Sequence, residues 1–129
     1  MPKKEMPLSG MRCLILDDEF LIALDIQTIL EAAGARSVIC VTTAEDALAA
    51  LRDGATFDIA VLDFNLGSAS PTSEDVAGAL TRQRTPLIFL TGLPSKDVRL
   101  GKFPDVPVVE KPYQASSLLT TITQALANG

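Results

Sequence analysis

The stretch Phe57-Asp58-Ile59-Ala60-Val61-Leu62-Asp63 constrains the chain most, because a short, continuous apolar run delivers a lone carboxylate to its end. Ile59 to Leu62 has β-branched residues and no polar alternation, the pattern of a strand buried on both faces in a parallel sheet covered by helices. Such a strand offers Asp63 no solvated face, so the acid belongs where the strand emerges. In open α/β sheets, ligands gather at the carboxyl ends of the strands. Gly67 and the Ser68-Ala69-Ser70-Pro71 segment then turn the chain away.

Four further runs behave alike. Met11 to Leu16 ends in Asp17-Asp18-Glu19, and Ser37 to Val41 is a weaker strand. Pro86 opens Leu87 to Leu90, which delivers Thr91-Gly92, and Val106 to Val109 leads into Glu110-Lys111-Pro112-Tyr113. Helical spacing fills the intervals. From Phe20 to about Ala33, the residues Ile22, Ile26, Ile29, Leu30 and Ala33 share a face, with Gly34 as the stop. Thr42 and Glu45 have capping-box spacing ahead of a helix with Ala44, Ala47, Leu48 and Leu51 inward. Val76, Ala77 and Leu80 carry a third helix, Ser73 to Gln83. Leu93 to Gly101 is a weak fourth, and Ala115, Leu118, Leu119, Ile122, Ala125 and Leu126 make the cleanest stripe. Strands alternating with helices predict an α/β fold, a doubly wound five-stranded parallel sheet of flavodoxin-like order 2-1-3-4-5. Residues 1–10 read as a flexible tail and 11–129 as a single domain.

Composition removes several function classes. The net charge of -5 opposes the phosphate backbone that dominates nucleic-acid affinity. No apolar run approaches the roughly 20 residues that span a bilayer, and nothing after Lys3 and Lys4 resembles a secretory signal. Cys13 and Cys40 each sit in an apolar run without CxxC spacing, which reads as buried thiols in a reducing cytoplasm. With 0 histidines, the chain has no Ser-His or Cys-His pair and no imidazole of its own to carry a phosphoryl group.

In the 2-1-3-4-5 order, Asp17, Asp18, Asp63, Thr91 and Lys111 meet at one edge, around the crevice where strand order reverses. Carboxylates without histidine or cysteine ligands favour a hard divalent cation such as Mg2+. A metal-screened carboxylate can attack phosphorus, and Lys111 and the Thr91 hydroxyl suit the phosphoryl oxygens. That describes an aspartyl-phosphate site. Phe20, Leu21 and Leu24 fall on the other side of the first helix, beside the acidic turn, as extra core contacts or as a docking surface.

Leu16-Asp17-Asp18-Glu19, Leu62-Asp63-Phe64-Asn65-Leu66, Leu90-Thr91-Gly92 and Glu110-Lys111-Pro112-Tyr113 together resemble the response-regulator receiver domain, over nearly the whole chain from Met11 to Ala127. The resemblance implies that Asp63 is the phosphoacceptor. It also implies that Asp17 and Asp18 hold Mg2+ with the Asn65 backbone carbonyl, that Thr91 is the switch hydroxyl, and that Lys111 contacts the acyl phosphate. Phe20 and Leu24 match where receivers dock their donors. Receivers commonly carry Tyr or Phe three residues before the lysine, and here that residue is Val108. The Phe89-Leu90-Thr91-Gly92-Leu93-Pro94 run resembles instead a stand-alone bacterial subgroup with a Phe-Ala-Thr-Gly type motif, which also lacks that aromatic.

The implied function is a cytoplasmic single-domain response regulator. It takes a phosphoryl group from a histidine kinase or histidine phosphotransfer protein and switches a surface for a downstream protein effector. It turns over no separate substrate beyond slow autodephosphorylation. A phosphorylation-independent adaptor is the alternative, against which the intact acids, threonine and lysine argue. A Mg2+-dependent phosphohydrolase of the aspartyl type would want a second aspartate where Asn65 stands.

Overall fold

A computed structural model describes residues 6–64, 71–92 and 102–128. Within them the chain runs β1 (Arg12–Leu16), α1 (Phe20–Ala32), β2 (Ser37–Val41), α2 (Ala44–Arg52), β3 (Ile59–Asp63), α3 (Ser73–Arg82), β4 (Leu87–Thr91), β5 (Val108–Glu110) and α4 (Ala115–Asn128). The expected helix over Leu93 to Gly101 and the loop from Asn65 to Ser70 lie outside the described residues. The strands form one parallel sheet in the order β2-β1-β3-β4-β5, as the alternation of runs requires.

The apolar runs are continuous because successive side chains enter different cores. Cys13, Ile15, Ile59, Val61, Ile88 and Leu90 face one layer, where α1 contributes Ile26 and Leu30 and α4 contributes Leu118 and Ile122. Leu14, Leu16, Ala60, Leu62 and Phe89 face the other, against Ala47 and Leu51 of α2 and Val76 and Leu80 of α3. With both faces covered, β3 and β4 are buried along their whole length. Their polar terminal residues, Asp63 and Thr91, have only the strand ends at which to act.

Several local expectations are corrected. The cap of α2 is Thr43, whose hydroxyl accepts from the Asp46 amide at 3.0 Å, rather than Thr42 with Glu45. Two adjacent threonines each precede an acid at the same spacing, and burying Ala44, Ala47 and Leu51 selects the later frame. The final strand starts at Val108, not Val106, because the Val106 amide closes a turn onto the Phe103 carbonyl at 3.1 Å. Cys13 is buried as expected, and burial pushes its thiol up to about 11. Cys40 instead is exposed on the edge strand β2, where its thiol lies against α1 and donates to Gln27 Oε1 at 3.4 Å.

The flexible tail does not extend through residues 6–10. Leu8 is fully buried in the α1/α4 core, its amide donates to the Ala33 carbonyl at 2.9 Å, and the Gly10 amide donates to Gly34. This turn supplies the carbonyl groups at the end of α1 with partners that the helix lacks. Gly34 is required there, since it adopts φ +102 and an added Cβ would lie 2.6 Å from the Met6 Cβ.

Candidate functional site

Register places the acids. Leu16 pairs with Val41 on one side and Leu62 on the other, so Asp17 and Asp63 each follow the paired core at the strand tips flanking the β1/β3 boundary. This is the point where strand order reverses. The Asp17 amide continues the ladder onto Val41 at 3.1 Å, and the Phe64 amide after Asp63 donates to Leu90 at 2.7 Å. The Ser73 hydroxyl, buried at the start of α3, donates to the Asp63 carbonyl and fixes the backbone of the acid from the side of α3. On the other flank, the Lys111 amide donates to the Thr91 carbonyl at 2.8 Å, carrying the β4/β5 pairing one residue further.

Asp17 and Asp63 are almost fully enclosed, at 0% and 1% exposure. Lys111 Nζ lies 3.4 Å from Asp63 Oδ1, 3.6 Å from Asp17 Oδ2 and 3.8 Å from Glu19 Oε1. One ammonium therefore serves two buried carboxylates and a third at the rim. Asp17 Oδ1 accepts from the Glu19 amide at 2.8 Å, whereas buried Asp17 Oδ2 has no hydrogen-bond partner. Burial, reinforced by the charge of Asp63 and opposed by the Glu19 amide and Lys111, pushes the Asp17 carboxyl up to about 6. Asp18 is raised as well, by desolvation first and by the Asp63 charge second. Oxygen atoms of Asp17, Asp18, Glu19 and Asp63 all lie within 4.8 Å of one another. An excess of hard oxygen donors with an orphaned buried oxygen suits a divalent cation of the Mg2+ type.

The sequence-derived residues Asp17, Asp18, Asp63 and Lys111 thus come together, and Thr91 is fully buried at the tip of β4 beside them. Asn65 lies outside the described residues. Glu19 stands in the same acidic run of the sequence, but its approach to Lys111 is a tertiary fact. The core reading of the first helix's outer side fails: Phe20, Leu21 and Leu24 are 68%, 76% and 46% exposed. They form an apolar face on the opening turns of α1, next to the acids. Val108 packs into the α2/α3 core, where aromatic rings come from elsewhere. Phe64, Phe89 and Phe103 stand edge to face, with centroids 4.9 Å and 5.6 Å apart. A cavity of about 630 Å3 opens by Arg84, Pro86 and Pro107, at the amino ends of β4 and β5, far from the acids.

A sheet of this order with this chemistry at its reversal point defines a class, and the chain belongs to the response-regulator receiver domains. It is 32% identical to SdrG from Pseudomonas melonis Fr1, solved in its BeF3-activated conformation, over 96% of this chain and 99% of that one, with a TM-score of 0.71. A response regulator receiver protein from Sinorhizobium medicae WSM419 is 26% identical over 92% of this chain and 95% of that one, with a TM-score of 0.81. The phyllosphere-induced regulator PhyR of Methylorubrum extorquens is 27% identical over 114 residues, 88% of this chain. The chain spans 42% of that relative's length. No family model matches it.

Proposed function

We propose that this receiver domain accepts a phosphoryl group on Asp63 from a phosphohistidine of a histidine kinase or histidine phosphotransfer protein, with Mg2+, and so switches a protein-binding surface. The observation that carries the reading is the single Lys111 ammonium set between the two enclosed carboxylates of Asp63 and Asp17. An enclosed nucleophile with a cation alongside can receive a phosphoryl group and offer its oxygens a partner at once.

In the proposed transfer, a carboxylate oxygen of Asp63 forms a bond to phosphorus as the phosphorus–nitrogen bond of the donor breaks. The electron pair of that bond leaves with the imidazole. Asp17 and Asp18 would hold Mg2+, with the Asn65 carbonyl implied by family resemblance. When bound, the ion screens the acids and the incoming phosphoryl charge. The Ser73 hydroxyl holds the Asp63 backbone during the exchange. Lys111 remains on the modified side chain as counter-charge, and the Thr91 hydroxyl is the switch donor. Phe20 and Leu24, exposed beside the pocket, would dock the donor. With 0 histidines, these 129 residues hold no imidazole donor of their own. The cytoplasm is the proposed compartment, and no described helix is long and apolar enough to cross a membrane. A protein-binding output agrees with PhyR from Bartonella quintana, described as an anti-anti-sigma factor and 28% identical over 92% of this chain.

Intact mass after incubation with acetyl phosphate tests the reading. A phosphoryl adduct is expected in wild type with Mg2+, and not in Asp63→Asn or in EDTA. Absence of an adduct, with a cognate kinase also failing to transfer, would favour a phosphorylation-independent adaptor.

A further inference from the structure

Helix α1 is tied twice to the segment that follows β5. At the pocket, Lys111 Nζ lies 3.8 Å from Glu19 Oε1, on the residue that precedes the first turn of α1. Further along, the Tyr113 hydroxyl donates to Asp25 Oδ2 at 2.9 Å, between residues 88 apart in sequence. Positions 19 and 25 are separated by about 9 Å of helix axis, at 1.5 Å per residue. Two contacts so spaced fix the orientation of a helix as well as its distance.

The ties differ in strength. Glu19 is 62% exposed, so its ion pair with Lys111 is screened by water and readily exchanged. The Tyr113 ring packs against the α1/α4 core, and its hydroxyl donates to the exposed Asp25 carboxylate at 2.9 Å, a direct charge-assisted hydrogen bond against the 3.8 Å of the ion pair. Burial, with the Asp25 carboxylate it serves, raises the phenol well above its ordinary range and keeps it a neutral donor. A phosphoryl group on Asp63 would add charge and acceptor oxygens where Lys111 already lies 3.4 Å away. The exposed Glu19 carboxylate cannot compete for the ammonium on those terms.

We propose that the Tyr113–Asp25 bond is a fixed strut and the Lys111–Glu19 pair a releasable tie, so that phosphorylation of Asp63 frees the start of α1 to pivot about Asp25. The Lys111–Glu19 pair then carries the state of Asp63 to the turns presenting Phe20, Leu21 and Leu24, and Tyr113 and Asp25 are positioning residues that hold the pivot. The inference rests on the phosphoacceptor reading of Asp63 and adds the route by which α1 senses it. Nothing in that reading requires Tyr113 or Asp25.

Amide hydrogen exchange in Mg2+, with and without beryllofluoride as a stand-in for the phosphoryl group, tests the strut. In wild type, beryllofluoride is expected to change exchange several-fold over residues 20–25 as well as around Asp63 and Lys111. Tyr113→Phe and Asp25→Ala should keep the response at Asp63 and Lys111 but lose the confinement of the α1 response to residues 20–25, which spreads along the helix. Asp25→Asn, whose amide oxygen still accepts from a phenol, should restore the confinement. A merely structural role would shift exchange equally with and without beryllofluoride, and thermal melts show that each variant is folded. An α1 response confined to residues 20–25 in Tyr113→Phe and Asp25→Ala as in wild type overturns the inference. So does a wild-type response at Asp63 and Lys111 with α1 silent. Absence of any response in wild type would bring down the phosphoacceptor reading, and the strut with it.

Discussion

The Lys111 ammonium lies 3.4 Å from the Asp63 carboxylate and reaches Asp17 at 3.6 Å, so one cation faces two acids that are both shut off from water. Neutralising either acid, removing the cation or adding a divalent ion should therefore each move stability in a definite direction.

Lys111→Met leaves the two buried carboxylates facing each other. It is expected to cost about 1–3 kcal/mol at pH 7 in EDTA, in the usual range for a destabilising single substitution. The loss should shrink on adding Mg2+, which replaces the missing positive charge. Urea unfolding with and without Mg2+ checks this, and an equal loss in both would mean that the lysine acts by packing.

Asp17 gives a pH signature. Burial holds its carboxyl at about 6 in the folded chain, against 3.8 ordinarily, with the Asp63 charge adding to the rise. Between those values the folded protein binds a proton that the unfolded chain has released, so the Asp17 contribution falls as pH rises through the window. In EDTA, Asp17→Asn should be near neutral at pH 4 and stabilising by up to about 3 kcal/mol at pH 7. Guanidinium unfolding at the two pH values measures the gap. A gap that fails to widen contradicts the assignment.

Phe20→Ala and Leu24→Ala remove side chains that are 68% and 46% exposed, and each should change stability by less than about 0.5 kcal/mol. If this face docks the donor, transfer from a phosphohistidine protein should slow while labelling by acetyl phosphate, which needs no docking, stays constant. Parallel losses with both donors would place the effect in the pocket instead.

Leu8 lies in a segment that composition presents as a tail, yet it is fully buried in the α1/α4 core. Leu8→Ala should cost about 2–5 kcal/mol, as for other leucines removed from cores. A thermal midpoint unchanged from wild type would return residues 6–10 to the status of a loose tail.

Much of the fold was legible because it is written locally. A run such as Ile59 to Leu62 reads as a strand covered on both faces, which puts the acid that ends it at the strand tip. Repeating that logic for Asp17, Thr91 and Lys111 assembled the carboxyl edge once the strand order was inferred, since topology alone carries strand tips to one side. Choices between equivalent local signals were not legible. Thr42 and Thr43 offered the same cap, and only the packing of α2 decided between them.

Local sequence pattern sets the order of strands and helices, the buried character of the sheet, and the types of residue at its carboxyl edge. These follow from hydrophobic period and from the cost of burying an acid within a strand. Tertiary structure alone decided that Leu8 folds back into the core and that Phe20, Leu21 and Leu24 stay exposed. It also decided that Glu19 shares Lys111 and that Tyr113 reaches Asp25. Each of these depends on which surfaces remain uncovered, or on contacts between distant residues, after the helices have docked. No window of sequence contains that information.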